Sequence, residues 1–389
     1  MKERNAFFDL LKPNYLFQEV LSRAREFQKA NPEASLIRLG VGDTTLPLPD
    51  CVAEAMSDYA AALGTQAGYQ GYGPYNGSQE LLGLISERIY QGQVSPDEIY
   101  VSDGSKCDIG RLQWLFSQEA IVAVQDPAYP VYVDTSLVCG KRVVYWPCTP
   151  ENHFFPDLQN VPKADLIFFC SPNNPTGTVP TQKQLKQLID YARLHGSIIV
   201  FDSAYAAFIQ DEGLPKSIYE LEGAREVAIE SGSFSKLGGF TGVRLGWTVI
   251  PKQLHFRDGT SIKGAWERLI STFFNGASNI AQAGGVALLS SEGYQEALHI
   301  VGIYRENIHR LKQALEQKGY ACYGGNNAPF LWVRMNKGTS WEVFDYLLHH
   351  YHIVATPGVG FGALGEGFVR FSGFASPETI SEAIKRLSS

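Results

Sequence analysis

Short apolar runs alternate with helical patterns from about residue 99 onward. The clearest helical pattern covers Gln182–His195, where apolar residues recur at helical spacing. A capping box of Thr181 and Gln184 predicts its start, and Gly196 predicts its end. The apolar runs cover residues 99–101, 121–124, 166–169, 198–201, 227–229 and 245–250. Strands that alternate with helices predict an α/β domain with a mostly parallel sheet.

Polar and glycine-rich stretches follow most of these runs. Because ligands of such sheets bind outside the carboxyl ends of the strands, these stretches are expected to meet at one site. The stretches are residues 102–106, 126–129, 171–177, 202–205 and 233–236. Each one could be an ordinary loop, but five of them on one edge indicate a functional site.

The stretch around Lys236 has the most specific chemistry. A lysine at the end of a buried strand is costly to desolvate, and forming a Schiff base with a carbonyl cofactor removes that cost. Pyridoxal 5'-phosphate (PLP) is the foremost such cofactor. Ser233, Ser235 and Arg244 offer donors for its phosphate. The alternative is a surface lysine in a glycine-rich turn.

Other strand ends carry candidates for holding the cofactor ring. Asp202 could pair with the pyridine nitrogen and keep it protonated, although it could instead be a helix N-cap. Asn174 and Tyr205 could hydrogen-bond to the phenolic oxygen of the ring. Tyr129 could stack on the ring.

Two further features suit anions. The backbone N–H groups of Ser105 and Lys106 open a predicted helix, where a phosphate would bind favourably. Arg370 lies in an apolar strand and could bind an α-carboxylate through two parallel hydrogen bonds. The alternative for Arg370 is a solvent-facing position on an edge strand.

The ends of the chain predict additional parts. Residues 1–47 form an N-terminal arm, residues 48–275 a large PLP-binding α/β domain, and residues 276–389 a smaller α+β domain that the arm joins. Residues 68–77 hold three tyrosines among four glycines and a proline, and predict a loop at a surface or an interface.

Composition narrows the class of protein. The 389 residues carry a net charge of −7 and no Lys/Arg cluster, which argues against nucleic-acid binding. Six cysteines without a close C-x-x-C pair indicate thiols in a reducing compartment, and no metal site is predicted. No signal peptide or membrane-spanning run is present, so a cytoplasmic protein is expected.

Taken together, these motifs resemble the class I/II aminotransferases among the fold type I PLP enzymes, over essentially the whole chain. The motifs are Ser171-Pro-Asn-Asn-Pro-Thr-Gly177, Asp202-x-x-Tyr205, Ser233-x-Ser-Lys236 and Arg244. Longer strings are similar to the LL-diaminopimelate aminotransferases within that family. These strings include Gly42-Asp43-Thr44-Thr45, Gly71-Tyr72-Gly73-Pro74 and Asn327-Ala-Pro-Phe.

The resemblance implies further site residues and a homodimer with shared active sites. It implies that Tyr72 reaches the phosphate of the neighbouring subunit's cofactor, and that Asn275 also crosses to the partner's site. It implies that Lys236 is catalytic. The substrate-binding residues that it implies are Tyr15, Gly42, Lys106, Tyr129, Asn174, Asn275 and Arg370.

The implied reaction is reversible transamination between LL-diaminopimelate and 2-oxoglutarate, giving tetrahydrodipicolinate and glutamate for lysine and cell-wall precursors. The nearest alternative is another aminotransferase, acting on aspartate, alanine or aromatic amino acids. A PLP lyase or decarboxylase on the same fold is a second alternative. A non-catalytic PLP-binding regulator is a remote third, since the chain has no basic extension.

Overall fold

The structure, a computed structural model, describes residues 4–11 and 15–388. The strands are β1 (Ile37–Arg38), β2 (Ile99–Ser102), β3 (Ile121–Asp126), β4 (Arg142–Pro147), β5 (Leu166–Cys170), β6 (Ile198–Asp202), β7 (Ala228–Ser233), β8 (Gly246–Val249), β9 (Ala321–Gly324), β10 (Phe330–Arg334), β11 (Ile353–Val354), β12 (Thr356–Pro357) and β13 (Phe368–Ser372).

Helices surround these strands. They are α1 (Leu16–Ala30), α2 (Asp50–Ala62), α3 (Gln79–Leu84), α4 (Ser105–Leu112), α5 (Val131–Val138), α6 (Gln182–His195), α7 (Phe234–Leu237), α8 (Ile262–Phe273), α9 (Asn279–Leu289), α10 (Ser291–Gln317), α11 (Ser340–Tyr351) and α12 (Pro377–Ser388). Among the described residues, no helix is both long and apolar enough to cross a bilayer.

The larger sheet of the described chain has seven strands in the order β2-β8-β7-β6-β5-β3-β4. β8 runs antiparallel to both of its neighbours, and β3 to β7 run parallel to one another. β5 and β6 are almost entirely apolar because helices cover both faces of the sheet. The parallel strands therefore end along a single edge.

A smaller antiparallel sheet in the described chain has the order β12-β13-β10-β9. Helix α1 packs beside it, with Val20 and Phe27 in one apolar cluster with Trp332. β1 pairs with β11. Residues 4–11 instead contact α5, where the Asn5 amide donates a hydrogen bond of 3.1 Å to the Val138 carbonyl. The division into three parts stays a prediction, and part of the arm lies outside the described residues.

Helix α3 ends at Leu84, and a π-helical turn follows over Ile85–Ile89. Two strands differ from the sequence-based expectations. Strand β4 was missed because its apolar residues are mixed with exposed ones at the sheet edge. The run at 227–229 is the start of β7, which continues to Ser233 because its polar side chains find buried hydrogen-bond partners.

Helix α10 connects the two sheets. Val301 and Tyr304 lie in the core of the larger part, and Ile308 and Leu311 lie in the core of the smaller one. The Tyr304 hydroxyl also accepts hydrogen bonds from the backbone N–H groups of residues 45 and 46, at 2.9 and 2.8 Å. Helix α10 thereby holds in place the segment that follows β1 and passes the carboxyl edge of the larger sheet.

Tyr304→Phe tests this anchor. The variant leaves two backbone N–H groups without their acceptor, so the free energy of unfolding should fall by about 1–3 kcal/mol. Urea unfolding measures the loss, with Tyr145→Phe on the edge strand β4 as the control. Equal losses in the two variants would contradict the anchor.

Candidate active site

The polar strand ends surround a cavity of about 280 Å³ at the carboxyl edge of the larger sheet. Most of the predicted site residues line it, together with Arg370 from β13 of the smaller sheet. The predicted residues in its wall are Gly42, Ser105, Lys106, Tyr129, Asn174, Asp202, Tyr205, Ser233, Ser235, Lys236, Arg244 and Arg370. The site therefore combines two sheets that are far apart in the sequence.

Lys236 lies on α7, directly after β7, and its side chain points into the cavity. Its Nζ donates a hydrogen bond to the Gly42 carbonyl and lies 5.3 Å from the centre of the Phe374 ring. Burial lowers the pKa of Lys236 from its ordinary 10.5 to about 8. Asp43 opposes the shift in this pKa, and Arg370 adds to it. A substantial fraction of the amine is therefore neutral near pH 8.

One end of the cavity suits an anion. Ser105 at the start of α4, Ser233, Ser235 and Arg244 line it. Gly104 precedes the helix with φ of +120°, and a Cβ there would overlap the Arg244 guanidinium. A glycine is thus required for the arginine to lie across the N-terminus of α4, where backbone N–H groups favour negative charge.

Asp202 ends β6 at the floor of the cavity and is buried. Its carboxylate accepts hydrogen bonds from the Tyr132 hydroxyl at 2.6 Å and from the Ala204 N–H at 3.0 Å. Burial raises the pKa of Asp202, while these two hydrogen bonds oppose the rise. The two donors hold the carboxylate in one orientation.

Arg370 is only 1% exposed, although it carries a guanidinium. It donates hydrogen bonds to the Asn174 side chain at 2.5 Å and to the Gly40 carbonyl at 2.6 Å, and its Nε has no partner. The guanidinium lies 4.4 Å from the centre of the Phe330 ring. Burial lowers the pKa of Arg370 to about 10. No carboxylate forms an ion pair with it among the described residues, so the site is suited to a carboxylate from outside.

Phenols form another wall. Burial raises the pKa values of Tyr129 and Tyr205 well above the usual range. Burial also raises the pKa of Tyr15, whose ring centre lies 5.2 Å from the Nζ of Lys106. These hydroxyls therefore stay protonated at neutral pH and can act as hydrogen-bond donors.

Two predicted site residues lie elsewhere. Tyr72 is 90% exposed and Asn275 is also exposed, and neither lines this cavity. Their loops are neighbours, since the Asn279 side chain donates a hydrogen bond of 3.3 Å to the Gly71 carbonyl. Tyr15 contacts Lys106 at the rim without being part of the cavity wall.

Several residues that line the cavity were not predicted from the sequence, and three of them stand out for their size or charge. Tyr132 follows Tyr129 by three positions, one turn further into α5, and that spacing was the available signal. Asp43 comes directly after Gly42, and Phe17 is the second residue of α1; both line the cavity. Neither carried a signal of its own, because their positions depend on packing between the arm and the two sheets.

Comparison with known proteins identifies the family of the chain. The profile of the aminotransferase class I and II family matches residues 34–387, so the chain belongs to that family. Over 399 aligned positions it is 52% identical to LL-diaminopimelate aminotransferase from Protochlamydia amoebophila (strain UWE25), covering 100% of this chain and 97% of the relative.

Solved structures extend the comparison. L,L-diaminopimelate aminotransferase from Chlamydomonas reinhardtii matches with a TM-score of 0.96 and 49% identity, over 99% of this chain and 98% of that one. A mutant aspartate aminotransferase from Thermus thermophilus matches with a TM-score of 0.86 over 100% and 99% of the two chains. Its identity of 22% shows a shared fold only. The predicted fold type I α/β architecture is confirmed.

The lowered pKa of Lys236 predicts a pH-dependent stability difference. Because the charged amine is disfavoured in the folded state, it destabilises the apoprotein below about pH 8, and the effect disappears as the pH rises towards 10.5. Lys236→Met should therefore be more stable than the wild type at pH 7, by a margin that shrinks between pH 8 and 10.5.

Urea unfolding of the apoprotein across this pH range measures that margin. Lys106→Met, which removes an exposed lysine from the same cavity, is the matched control and should follow the wild-type pH dependence. A margin for Lys236→Met that does not change with pH would contradict the desolvation of Lys236.

Proposed function

We propose that this protein is a PLP-dependent aminotransferase that exchanges an amino group between LL-diaminopimelate and 2-oxoglutarate. The observation that carries the proposal is full-length similarity to LL-diaminopimelate aminotransferases, at 52% identity in sequence and with a TM-score of 0.96 in structure. The products are tetrahydrodipicolinate, which forms when the keto acid cyclises, and glutamate.

The residues present fit PLP. Ser105, Ser233, Ser235 and Arg244 would hold its phosphate at the N-terminus of α4, in the space that Gly104 leaves open. Lys236 would hold the cofactor covalently. When bound, PLP supplies an electron-withdrawing ring that stabilises negative charge at the substrate α-carbon.

The floor and walls of the cavity would orient the ring. The Asp202 carboxylate, fixed by Tyr132, would accept a hydrogen bond from the pyridine nitrogen and favour its protonated form. Asn174 and Tyr205 would donate to the phenolic oxygen, and Tyr129 would stack on the ring. All four lie in the same cavity wall.

Lys236 would also move the proton of the reaction. Its amine is poised near pH 8, so it can take a proton from the α-carbon and return one in the reverse direction. The negative charge of Asp43 favours the protonated amine, and Arg370 opposes it. Desolvation remains the largest cause of the lowered pKa of Lys236.

The charges around the cavity suit a substrate with carboxylates at both ends. Arg370, with its unpaired Nε, would bind the α-carboxylate near the Gly42 backbone. Lys106 and Tyr15, in contact at the rim, would bind the distal carboxylate. A five-carbon diacid and a seven-carbon diacid would then both bind their α-carboxylates at Arg370.

We further propose a homodimer in which Tyr72 and Asn275 complete the neighbouring subunit's site. Their exposure in the single chain and their absence from its own cavity support this assignment. The six free cysteines support a reducing, cytoplasmic location.

Absorbance spectroscopy of the PLP-loaded protein tests the function. LL-diaminopimelate and glutamate, added separately without an oxo acid, should each remove the visible absorbance of bound PLP, and 2-oxoglutarate should restore it. If only aspartate or alanine removes the absorbance, the protein is an aminotransferase for another amino acid, and the proposed substrate is rejected. No visible absorbance after PLP addition would reject the cofactor and the role of Lys236.

Lys106→Ala tests recognition of the distal carboxylate. Losing one charge-assisted hydrogen bond, about 1.5–3 kcal/mol, should raise KM for LL-diaminopimelate roughly tenfold to a hundredfold. Lys186→Ala in α6 is the control, since Lys186 lies outside the cavity wall and pairs with Asp190 one helical turn away. Steady-state rates decide, and an unchanged KM in Lys106→Ala would reject this role.

A further inference from the structure

Glu230 is a buried carboxylate in the middle of β7, outside the cavity that holds Lys236. Its two oxygens accept four hydrogen bonds. Oε1 accepts from the Tyr90 hydroxyl at 3.0 Å and the Ser203 hydroxyl at 2.9 Å. Oε2 accepts from the Ser217 hydroxyl at 2.6 Å and the Ile218 N–H at 3.1 Å. Every strong acceptor position of the carboxylate is therefore used.

Three of these four donors come from the two ends of one irregular segment, residues 203–218, and the fourth is Tyr90. Ser203 directly follows Asp202, and Ser217 and Ile218 close the segment. The segment contains Tyr205, whose hydroxyl faces the site cavity, and Ala206–Phe208, a single 3-10 turn. The Glu230 carboxylate thus links the start and the end of the 203–218 segment, which carries the Tyr205 phenol of the site cavity.

Further contacts hold the Glu230 side chain in place. The Trp247 Nε1 on β8 donates a hydrogen bond of 2.9 Å to the Tyr90 hydroxyl, which in turn donates to Glu230. Glu230 also lines a second cavity, of about 110 Å³, and Ala204 and Ser233 line both this cavity and the site cavity. The hydrogen-bond network around Glu230 therefore lies directly behind the wall of the site cavity.

A carboxylate at this buried position carries an energetic cost. Burial raises the pKa of Glu230 to about 7, against the hydrogen bonds that lower it. No cation forms an ion pair with Glu230 in the part of the chain that the structure describes. Burying a carboxylate without a cation partner costs free energy. Four directed hydrogen bonds hold this carboxylate, and the groups that donate to it, in a single geometry.

We propose that Glu230 is a positioning residue for the transamination site, acting through Ser203 and the 203–218 segment to fix the Asp202 carboxylate and the Tyr205 phenol. The proposal rests on the proposed function, since Asp202 and Tyr205 matter through the cofactor that they would hold. Glu230 itself touches neither the cavity nor the reacting atoms.

Glu230→Gln and Ser203→Ala test the proposal, with Glu98→Gln as the matched control. Glutamine keeps the shape of Glu230 but presents an NH₂ group to two of its donors. Ser203→Ala removes the hydroxyl that links Glu230 to the start of the segment, together with its longer hydrogen bond of 3.2 Å to the Ser231 carbonyl. Glu98 is equally buried and accepts hydrogen bonds from Arg225 at 2.5 Å and the Lys252 N–H at 2.9 Å, yet it does not line the site cavity.

Three measurements distinguish a positioning role of Glu230 from a purely stabilising one. They are the dissociation constant of PLP, the visible circular dichroism of bound PLP, and the steady-state kinetics (kcat and KM) with LL-diaminopimelate. Glu230→Gln should lower kcat by about tenfold to a hundredfold with KM little changed, as expected for misplaced groups. It should also weaken PLP binding and alter the circular dichroism. Ser203→Ala should shift the same quantities in the same direction, less strongly.

Glu98→Gln should lose thermal stability and keep all three quantities. If Glu230→Gln behaves like Glu98→Gln, Glu230 is only structural and the proposal is wrong. If Glu230→Gln does not fold, Ser203→Ala decides alone, and unchanged circular dichroism and kcat in that variant reject the proposal. Failure of the wild type to bind PLP or use LL-diaminopimelate would reject the proposed function instead.

Discussion

Four cations line one small cavity: Lys106, Lys236, Arg244 and Arg370. The two most buried of them, Lys236 and Arg370, form no ion pair with a carboxylate among the described residues. Both are partly or fully removed from water, and the pKa of each is lowered by burial. Their mutual repulsion adds to the shift at Lys236. The unfavourable energy of this arrangement must be supplied by the rest of the fold, and it is released when an anion enters.

The fold meets this requirement by placing the cations on separate sheets. Lys236 follows β7 of the larger sheet, and Arg370 lies within β13 of the smaller one. Each sheet has its own apolar core. The cavity between them holds polar groups that are already oriented, such as Asp202 under Tyr132.

The sequence predicted the parallel strands because β5 and β6 are buried on both faces and so consist of uninterrupted apolar residues. It also indicated which residues meet at the strand edge, since polar residues that follow parallel strands share one edge. The edge strand β4 was not predicted, because its exposed positions interrupt the apolar pattern. Asp43 and Glu230 were also missed, since their surroundings come from residues distant in the chain. Whether Tyr72 and Asn275 belong to a site depends on a second subunit, which a single chain does not contain.

Helix α10 has a mechanical consequence for the substrate. Its 27 residues form a rod about 40 Å long, with one half embedded in each core. Shifting the strand that carries Arg370 relative to the lysine-bearing edge would require bending that rod or pulling it from a core. Helix α10 therefore couples the position of Arg370 to that of Lys236, and this coupling favours accommodation of ligands of different length at the rim.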